Sequence, residues 1–128
     1  MKIEGIYVPS FYEVTYNDDG TIKNFSPKDN SVPAVIKKRI VKDFENSYYP
    51  TKQIVPYVQI VHDRISLELM RGCPNRCNFC QAASIYRPCR LRSPDKILQL
   101  AEEAYQATGY DEISLVSLST GDYPHIAE

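Results

Sequence analysis

Three cysteines separated by three and then two residues are the feature of this 128-residue sequence that most constrains its fold. They lie in the octapeptide Cys73-Pro74-Asn75-Arg76-Cys77-Asn78-Phe79-Cys80. Three thiolates this close together can bind one iron–sulfur cluster, because proteins hold such clusters mainly through cysteine sulfur. Three ligands leave one iron of a four-iron cluster open, and an open coordination position is typical of catalytic metal centres rather than structural ones.

The segments on either side of the cysteines have the pattern of one βαβ unit. Ile65–Met70 alternates apolar and polar residues, as in a half-buried strand. Ser93-Pro94-Asp95 combines an N-cap serine, a proline in the first turn and an early acid, which predicts a helix start. Gly109 is placed to end that helix, and Glu112–Leu118 is the next predicted strand. This order predicts a parallel strand pair.

Ligands of parallel sheets bind beyond the carboxyl ends of the strands. Two segments of this sequence follow predicted strands in that way: the loop Arg71–Arg92, which contains all four cysteines, and the turn Ser119–Asp122. We therefore expect both segments to lie at the same edge of the sheet.

The first half of the sequence predicts strands and loops. Ile6–Val8 and Phe11–Tyr16 are rich in β-branched and aromatic residues, and Asn17–Gly20 supplies a turn before a second arm at Thr21–Phe25. Val35–Phe44 is compatible with a strand or a short helix, and we favour the strand. We expect residues 1–64 to form a hairpin and a proline-interrupted connecting segment, and residues 65–128 to form the βαβ unit.

The composition of the chain excludes few classes of protein. The formal net charge is −1 and 43% of residues are hydrophobic, so the charge balance does not favour a nucleic-acid or membrane-surface partner. No apolar run approaches the ~20 residues that span a bilayer. The sequence has no apolar signal core after Met1, which predicts a cytoplasmic protein with free thiols.

The cysteine spacing, with aromatic Phe79 directly before the last cysteine, resembles the defining signature of the radical S-adenosylmethionine superfamily. The resemblance implies an α/β fold, the N-terminal part of a partial (β/α)6 barrel preceded by a β-rich segment. It implies a 4Fe-4S cluster that reductively cleaves S-adenosylmethionine to a 5′-deoxyadenosyl radical, which abstracts hydrogen from a substrate. A one-electron donor such as flavodoxin or ferredoxin is implied as well.

The resemblance also implies roles for individual residues, although no catalytic acid or base is assigned. Cys73, Cys77 and Cys80 would be the cluster ligands, and Phe79 would pack near the adenine. The turn after the second strand would receive the methionine moiety, and it consists of Ser119, Thr120, Gly121 and Asp122. The sequence of this turn differs from the Gly-Gly-Glu motif that is usual in the family.

A narrower resemblance covers residues 50–123. It is to a little-characterised radical S-adenosylmethionine group with an upstream cobalamin-binding-like domain, and in outline also to methylthiotransferases. The segments that carry it are Val61–Arg64, Arg71–Cys73, Phe79–Ala82, Ile85–Pro88, Arg92–Pro94 and Ser117–Tyr123.

Neither the cobalamin-binding-like domain nor the N-terminal domain of the methylthiotransferases lies in this chain. A barrel built of (β/α) repeats needs roughly 200 residues. We expect a fragment, inactive alone, of an enzyme that acts on tRNA, protein or a metabolite, with cobalamin allowed in the full-length protein.

Three alternatives remain open at this point. The four cysteines, with Cys89 as fourth ligand, would suit a non-catalytic module with a structural zinc site. We expect instead that Cys89 is a buried apolar residue and no ligand. His62 and His125 are interpreted as ordinary surface or capped histidines. The loop is locally basic, and its basic face is either solvated or contacts an anionic substrate or partner. The residues of this face are Arg76, Arg87, Arg90 and Arg92.

Overall fold

The computed structural model describes residues 3–127. The chain divides into two compact units, and the division falls between Val41 and Lys42. The domain boundary that the sequence predicts between residues 64 and 65 stays a prediction. No helix within the described range is both long and apolar enough to cross a bilayer.

The first unit is built around a β-hairpin. Strands β1 (Tyr12–Tyr16) and β2 (Ile22–Pro27) pair antiparallel, with Val14 opposite Phe25. The turn between them is closed by the Asp19 carboxylate, which accepts hydrogen bonds from the backbone and hydroxyl of Thr21. Tyr12 is buried and stacks on Phe25, with 4.8 Å between the ring centroids. The hairpin lies where the sequence predicts it.

Two predicted strands are wrong. Within residues 3–127, neither Ile6–Val8 nor Val35–Phe44 forms a strand. A short 3-10 turn at Pro9–Phe11 follows the first segment, and the second follows Pro33 and contains Lys37, Lys38 and Arg39. β-propensity stabilises a strand only where a partner strand accepts its hydrogen bonds, and neither segment has one in the described chain.

The second unit contains the predicted βαβ arrangement. Strands β3 (Ile65–Glu68) and β6 (Ile113–Val116) pair parallel, with Ile65 opposite Ile113 and Glu68 opposite Val116. Helix α2 (Pro94–Thr108) connects them. The mixed α/β class and the parallel pair are confirmed, whereas the partial barrel remains a proposal.

Local signals set both ends of α2, as the sequence predicts. The Ser93 hydroxyl accepts a hydrogen bond from the backbone N–H of Lys96, and Pro94 occupies the first turn. Gly109 ends the helix in the left-handed conformation, with φ of 72°. A left-handed position favours glycine because a Cβ would crowd the following carbonyl.

Apolar packing of α2 against β3 forms the core of this unit. The cluster consists of Ile65 and Leu67 on the strand and Leu100 and Ala104 on the helix, all nearly inaccessible to solvent. Alternation along β3 places these apolar side chains on the helix side and Ser66 and Glu68 on the opposite face. The polar face is therefore free for the site described next.

Candidate functional site

The cysteines occupy a loop whose two ends are tied together. Strands β4 (Met70–Arg71) and β5 (Arg90–Leu91) pair antiparallel, with Met70 opposite Leu91, and the backbone N–H of Arg92 donates to the carbonyl of Leu69 at 2.9 Å. The segment between them contains one short helix, α1 (Ala82–Ile85). We call residues 72–89 the cysteine loop, and the β4–β5 pair its neck.

Gly72 stands where the cysteine loop leaves the neck. Its φ is 109°, and a Cβ at this position would lie 2.8 Å from the carbonyl oxygen of Tyr86 and 2.9 Å from the Cα of Cys89. Both neighbours are backbone atoms, which cannot rotate away as a flexible side chain would. The two sides of the loop therefore approach one another this closely only because residue 72 is glycine.

The four cysteines carry free thiols. Cys77 and Cys80 are exposed and Cys73 is half-buried, and a backbone hydrogen bond from Cys80 to the carbonyl of Cys77 closes a turn between them. Among residues 3–127, no three Cys, His, Asp or Glu side chains are already gathered as a metal-binding set. The donor chemistry, three accessible thiols on one irregular loop, fits an iron–sulfur cluster.

Ser119–Asp122 follows β6 and has its own internal bonding. The Ser119 hydroxyl donates to the Asp122 carboxylate at 2.6 Å, and the Asp122 backbone N–H donates to the Ser119 carbonyl. Hydrogen bonds from Ser119 and from Asn75 lower the pKa of Asp122 below its ordinary value. The carboxylate is therefore ionised at neutral pH and held in a fixed direction.

The cysteine loop and this turn meet. The side-chain amide of Asn75, between the first two cysteines, donates to Asp122 Oδ2 at 2.5 Å. Tyr123, directly after the turn, is buried and donates its hydroxyl to the carbonyl of Arg92 at 2.8 Å. The structure thus brings together the two segments that the sequence places at the carboxyl ends of the strands.

A cavity of about 430 Å³ lies beside the same ends of β3 and β6. Within it, Arg71 forms a bidentate ion pair with Glu68, with distances of 2.9 and 2.7 Å. The bond to Glu68 raises the pKa of Arg71, so the guanidinium is charged. The lining residues are Tyr49, Ser66, Glu68, Met70, Arg71, Gly72, Tyr86, Val116, Ser117 and Leu118.

Arg92 does not belong to a basic loop face, contrary to the expectation. It is 1% exposed, and its guanidinium lies 4.4 Å from the ring centroid of Phe44 and 5.5 Å from that of Tyr49. It donates to the carbonyl of Glu45 and to the hydroxyl of Ser47. Burial lowers its pKa. Two acceptors and two aromatic rings thus surround this buried cation, although its Nε finds no hydrogen-bond acceptor among residues 3–127.

Three other expectations concern single residues, Cys89 and Phe79 in the cysteine loop and His62 before β3. Cys89 is exposed rather than buried, so the expected apolar role is wrong, and its sulfur lies 4.0 Å from the Met70 sulfur. Phe79 is 92% exposed, so its ring packs against little of the described chain. His62 contacts Arg64, which also pairs with Glu112 at 2.9 Å, as expected for a surface histidine.

Sequence analysis did not identify Gly72, Asn75 or the partners of Arg92 as parts of this site. A glycine directly before the first cysteine and an amide between two ligand positions were available signals. The contacts of Arg92 with Phe44 and Glu45 carried no such signal, because they join residues more than 40 positions apart.

Comparison with known proteins identifies the class of this site. The profile of the Radical SAM superfamily matches residues 67–128, which include the cysteine loop, α2, β6 and the turn after it. Over this segment the chain belongs to the Radical SAM superfamily.

Individual relatives agree with that assignment. An uncharacterized protein of Methanocaldococcus jannaschii is 34% identical over 113 residues, covering 88% of this chain and 24% of that protein. The threonylcarbamoyladenosine tRNA methylthiotransferase of Bacillus subtilis is 28% identical over 94 residues, covering 73% and 18%. A ribosomal protein methylthiotransferase of Desulfotalea psychrophila is 35% identical over 68 residues, covering 53% and 14%.

The superfamily match confirms the resemblance to radical SAM proteins, and two of these relatives confirm the resemblance to methylthiotransferases. The chain spans about a quarter or less of the length of each of the curated relatives it matches. No solved structure matches it.

Proposed function

We propose that this chain supplies the cluster-binding and S-adenosylmethionine-binding start of a radical SAM enzyme. The observation that carries the proposal is the position of three free thiols on a loop at the carboxyl ends of β3 and β6, inside the segment that matches the superfamily. Cys73, Cys77 and Cys80 would hold a 4Fe-4S cluster. When bound, the cluster would supply the electron that cleaves S-adenosylmethionine into methionine and a hydrogen-abstracting 5′-deoxyadenosyl radical.

The chain's own residues would bind and orient S-adenosylmethionine. Phe79 is almost fully exposed and free to cover the adenine, which supports the role that the resemblance implies. At Gly121 a Cβ would meet no heavy atom within 4 Å, so the backbone of the turn is open on that side. A ligand could therefore approach the backbone of Ser119, Thr120, Gly121 and Asp122 closely.

The fold of the whole protein is part of the proposal. The single β3–α2–β6 unit is compatible with the first repeat of a partial (β/α)6 barrel. The polar face of β3, with Ser66 and Glu68, would then line the barrel interior together with the cavity. A cytoplasmic location and a flavodoxin or ferredoxin as electron donor complete this proposal. Cobalamin stays a prediction from the resemblance alone.

The relatives suggest the substrate class. One is named as acting on tRNA and another on a ribosomal protein, and both are named methylthiotransferases. We therefore propose a macromolecular substrate, tRNA or protein, and transfer of a methylthio group to it. The alternative is a structural zinc site with Cys89 as the fourth ligand, and Cys89 is a free, exposed thiol.

The test is cleavage of S-adenosylmethionine by the intact protein that carries this chain. The protein is reconstituted anaerobically with iron and sulfide and reduced, and 5′-deoxyadenosine is quantified by mass spectrometry. We expect 5′-deoxyadenosine to form only with reductant. A protein that holds its cluster and yet forms none would contradict the proposed function.

The variant Gly121→Val tests the turn separately. Because a side chain there meets open space, the fold should be unchanged, while the β-branched side chain would obstruct the ligand. We expect S-adenosylmethionine affinity to fall about tenfold, the range that overpacking produces. Gly121→Ala should have a smaller effect. Unchanged affinity in the folded valine variant would remove the turn from the binding site.

A further inference from the structure

We propose that Asn75 and Asp122 are positioning residues, and that their hydrogen bond fixes the cysteine loop against the turn after β6 before any cofactor binds. This inference rests on the proposed function and adds two residues to it. It also changes the expected role of Asp122, which holds the loop rather than contacting the ligand through its carboxylate.

The hydrogen bond joins the segment between Cys73 and Cys77 to the turn that follows β6. Asn75 lies two residues from both Cys73 and Cys77, and its amide nitrogen is 2.5 Å from Asp122 Oδ2. The two residues are 47 positions apart. A contact here therefore restricts the backbone that carries the first two thiols.

The turn is a firm support for this contact. Asp122 Oδ2 also accepts from the Ser119 hydroxyl at 2.6 Å, so the carboxylate direction is set by the turn itself. The Ser117 and Thr120 hydroxyls are 3.0 Å apart, and the Ser117 oxygen accepts from the Ser119 backbone N–H. Asn75 thus binds an oxygen that is already oriented.

The next residue, Tyr123, fixes the same turn to the backbone just after β5. Its buried hydroxyl donates to the Arg92 carbonyl at 2.8 Å, and Arg92 is itself held by Glu45, Ser47 and the Phe44 ring. The turn and Tyr123 therefore contact the chain on both sides of the neck, within the loop at Asn75 and just after β5 at Arg92. A loop held at two points has fewer conformations to lose when its thiols bind iron.

The chemistry of Asp122 agrees with a positioning role. One carboxylate oxygen already accepts two side-chain hydrogen bonds, from Ser119 and Asn75. A ligand amine would have to compete with both donors for that oxygen. The exposed backbone at Gly121, by contrast, has no such competitor on its open side.

The first experiment needs no cofactor. Unfolding of the metal-free chain is compared for wild type, Asn75→Ala, Asp122→Ala and the double variant. We expect the two changes to be non-additive by about three- to tenfold in the unfolding equilibrium constant, as for a typical intramolecular hydrogen bond at an exposed position. Additive effects would show that the contact is absent in solution and would overturn the proposal.

The second experiment follows iron release to a chelator from the reconstituted intact protein. We expect Asn75→Ala and Asp122→Ala each to speed release about tenfold, with no further gain in the double variant. Asn78→Ala is the matched control, since Asn78 lies in the same loop and makes no hydrogen bond to Asp122 within the described chain. It should release iron at the wild-type rate.

An exchange of the two side chains separates positioning from a general loss of structure. Asn75→Asp alone places two carboxylates in contact, and it should give the fastest release. Adding Asp122→Asn restores an amide and a carboxylate with their places exchanged, and it should slow release again toward the wild-type rate. Failure of that rescue, or wild-type release in the alanine variants, would overturn the proposal. A wild-type protein that takes up no cluster would instead contradict the proposed function.

Discussion

Helix α2 and strand β3 are stabilised by apolar contacts, whereas the cysteine loop between them has few. Ile65, Leu67, Leu100 and Ala104 are packed out of solvent in the βαβ unit. In the loop, Cys77, Phe79 and Cys80 are exposed, and order comes from the two-residue neck and from single polar contacts such as Asn75 with Asp122.

This difference separates a scaffold from a site. The βαβ unit can be stable without a ligand, because burial of apolar surface stabilises it regardless of what binds. The loop leaves three thiols accessible, and a bound cofactor would supply the contacts that its own side chains lack. Changes in the unit should therefore alter stability, while changes in the loop should alter metal binding.

The largest expected effect is in the core. Leu67→Ala removes a side chain that is 2% exposed and packed against α2, and we expect it to lower the free energy of unfolding by about 2–5 kcal/mol. Leu98→Ala is the control, because Leu98 lies on the same helix and is 67% exposed. It should change the value by less than about 0.5 kcal/mol. Urea denaturation measures the free energy of unfolding of both variants. An equal loss in the two variants would show that Leu67 is not part of the stabilising core.

The next effect distinguishes two glycines with positive φ. Gly72→Ala forces a Cβ onto backbone atoms of the cysteine loop, and we expect a loss of about 1–3 kcal/mol together with impaired iron uptake. Gly109→Ala at the end of α2 also replaces a glycine of positive φ, 72° against 109° at Gly72, but no atom lies within 4 Å of the new Cβ. It should lower stability less and leave iron uptake intact. Impaired iron uptake in both variants would contradict the separation of scaffold and site.

A smaller effect is expected at the start of α2. Ser93→Ala removes the N-cap that accepts from Lys96 and the hydroxyl that donates to Glu45 at 2.5 Å. We expect a loss of about 1 kcal/mol in the free energy of unfolding. The same substitution at exposed Ser84, within the cysteine loop, should be nearly neutral. A loss at Ser84 as large as at Ser93 would mean that the loop contributes more to stability than its exposure indicates.

The parts of this molecule that sequence predicted well are those with local signals. Ser93, Pro94 and Gly109 set the ends of α2 through atoms only a few residues away, and the strand–helix–strand order implied the parallel pair. The strand predicted at Val35–Phe44 was wrong because strand formation depends on a partner elsewhere in the chain. Periodicity and composition within the segment cannot supply that partner.

The same limit applies to the site. The cysteine spacing identified the loop and its superfamily, because the signal lies within eight consecutive residues. The burial of Arg92 and the contact of Asn75 with Asp122 depend on tertiary contacts between distant residues. The position of Asn75 between two cysteines marks it as part of the loop, but nothing in the sequence identifies its partner or that of Arg92.

The iron and sulfide content of cysteine variants tests the central claim most directly. The intact protein is reconstituted anaerobically, its fold is checked by circular dichroism, and its reduced cluster is examined by electron paramagnetic resonance. We predict about four irons and four sulfides per chain in wild type, as for a thiolate-bound cubane, and the same content in Cys89→Ser. Alanine at Cys73, Cys77 or Cys80 should abolish the cluster. Tight zinc binding without iron–sulfur absorbance, or a folded Cys89→Ser variant that holds no iron, would contradict the account.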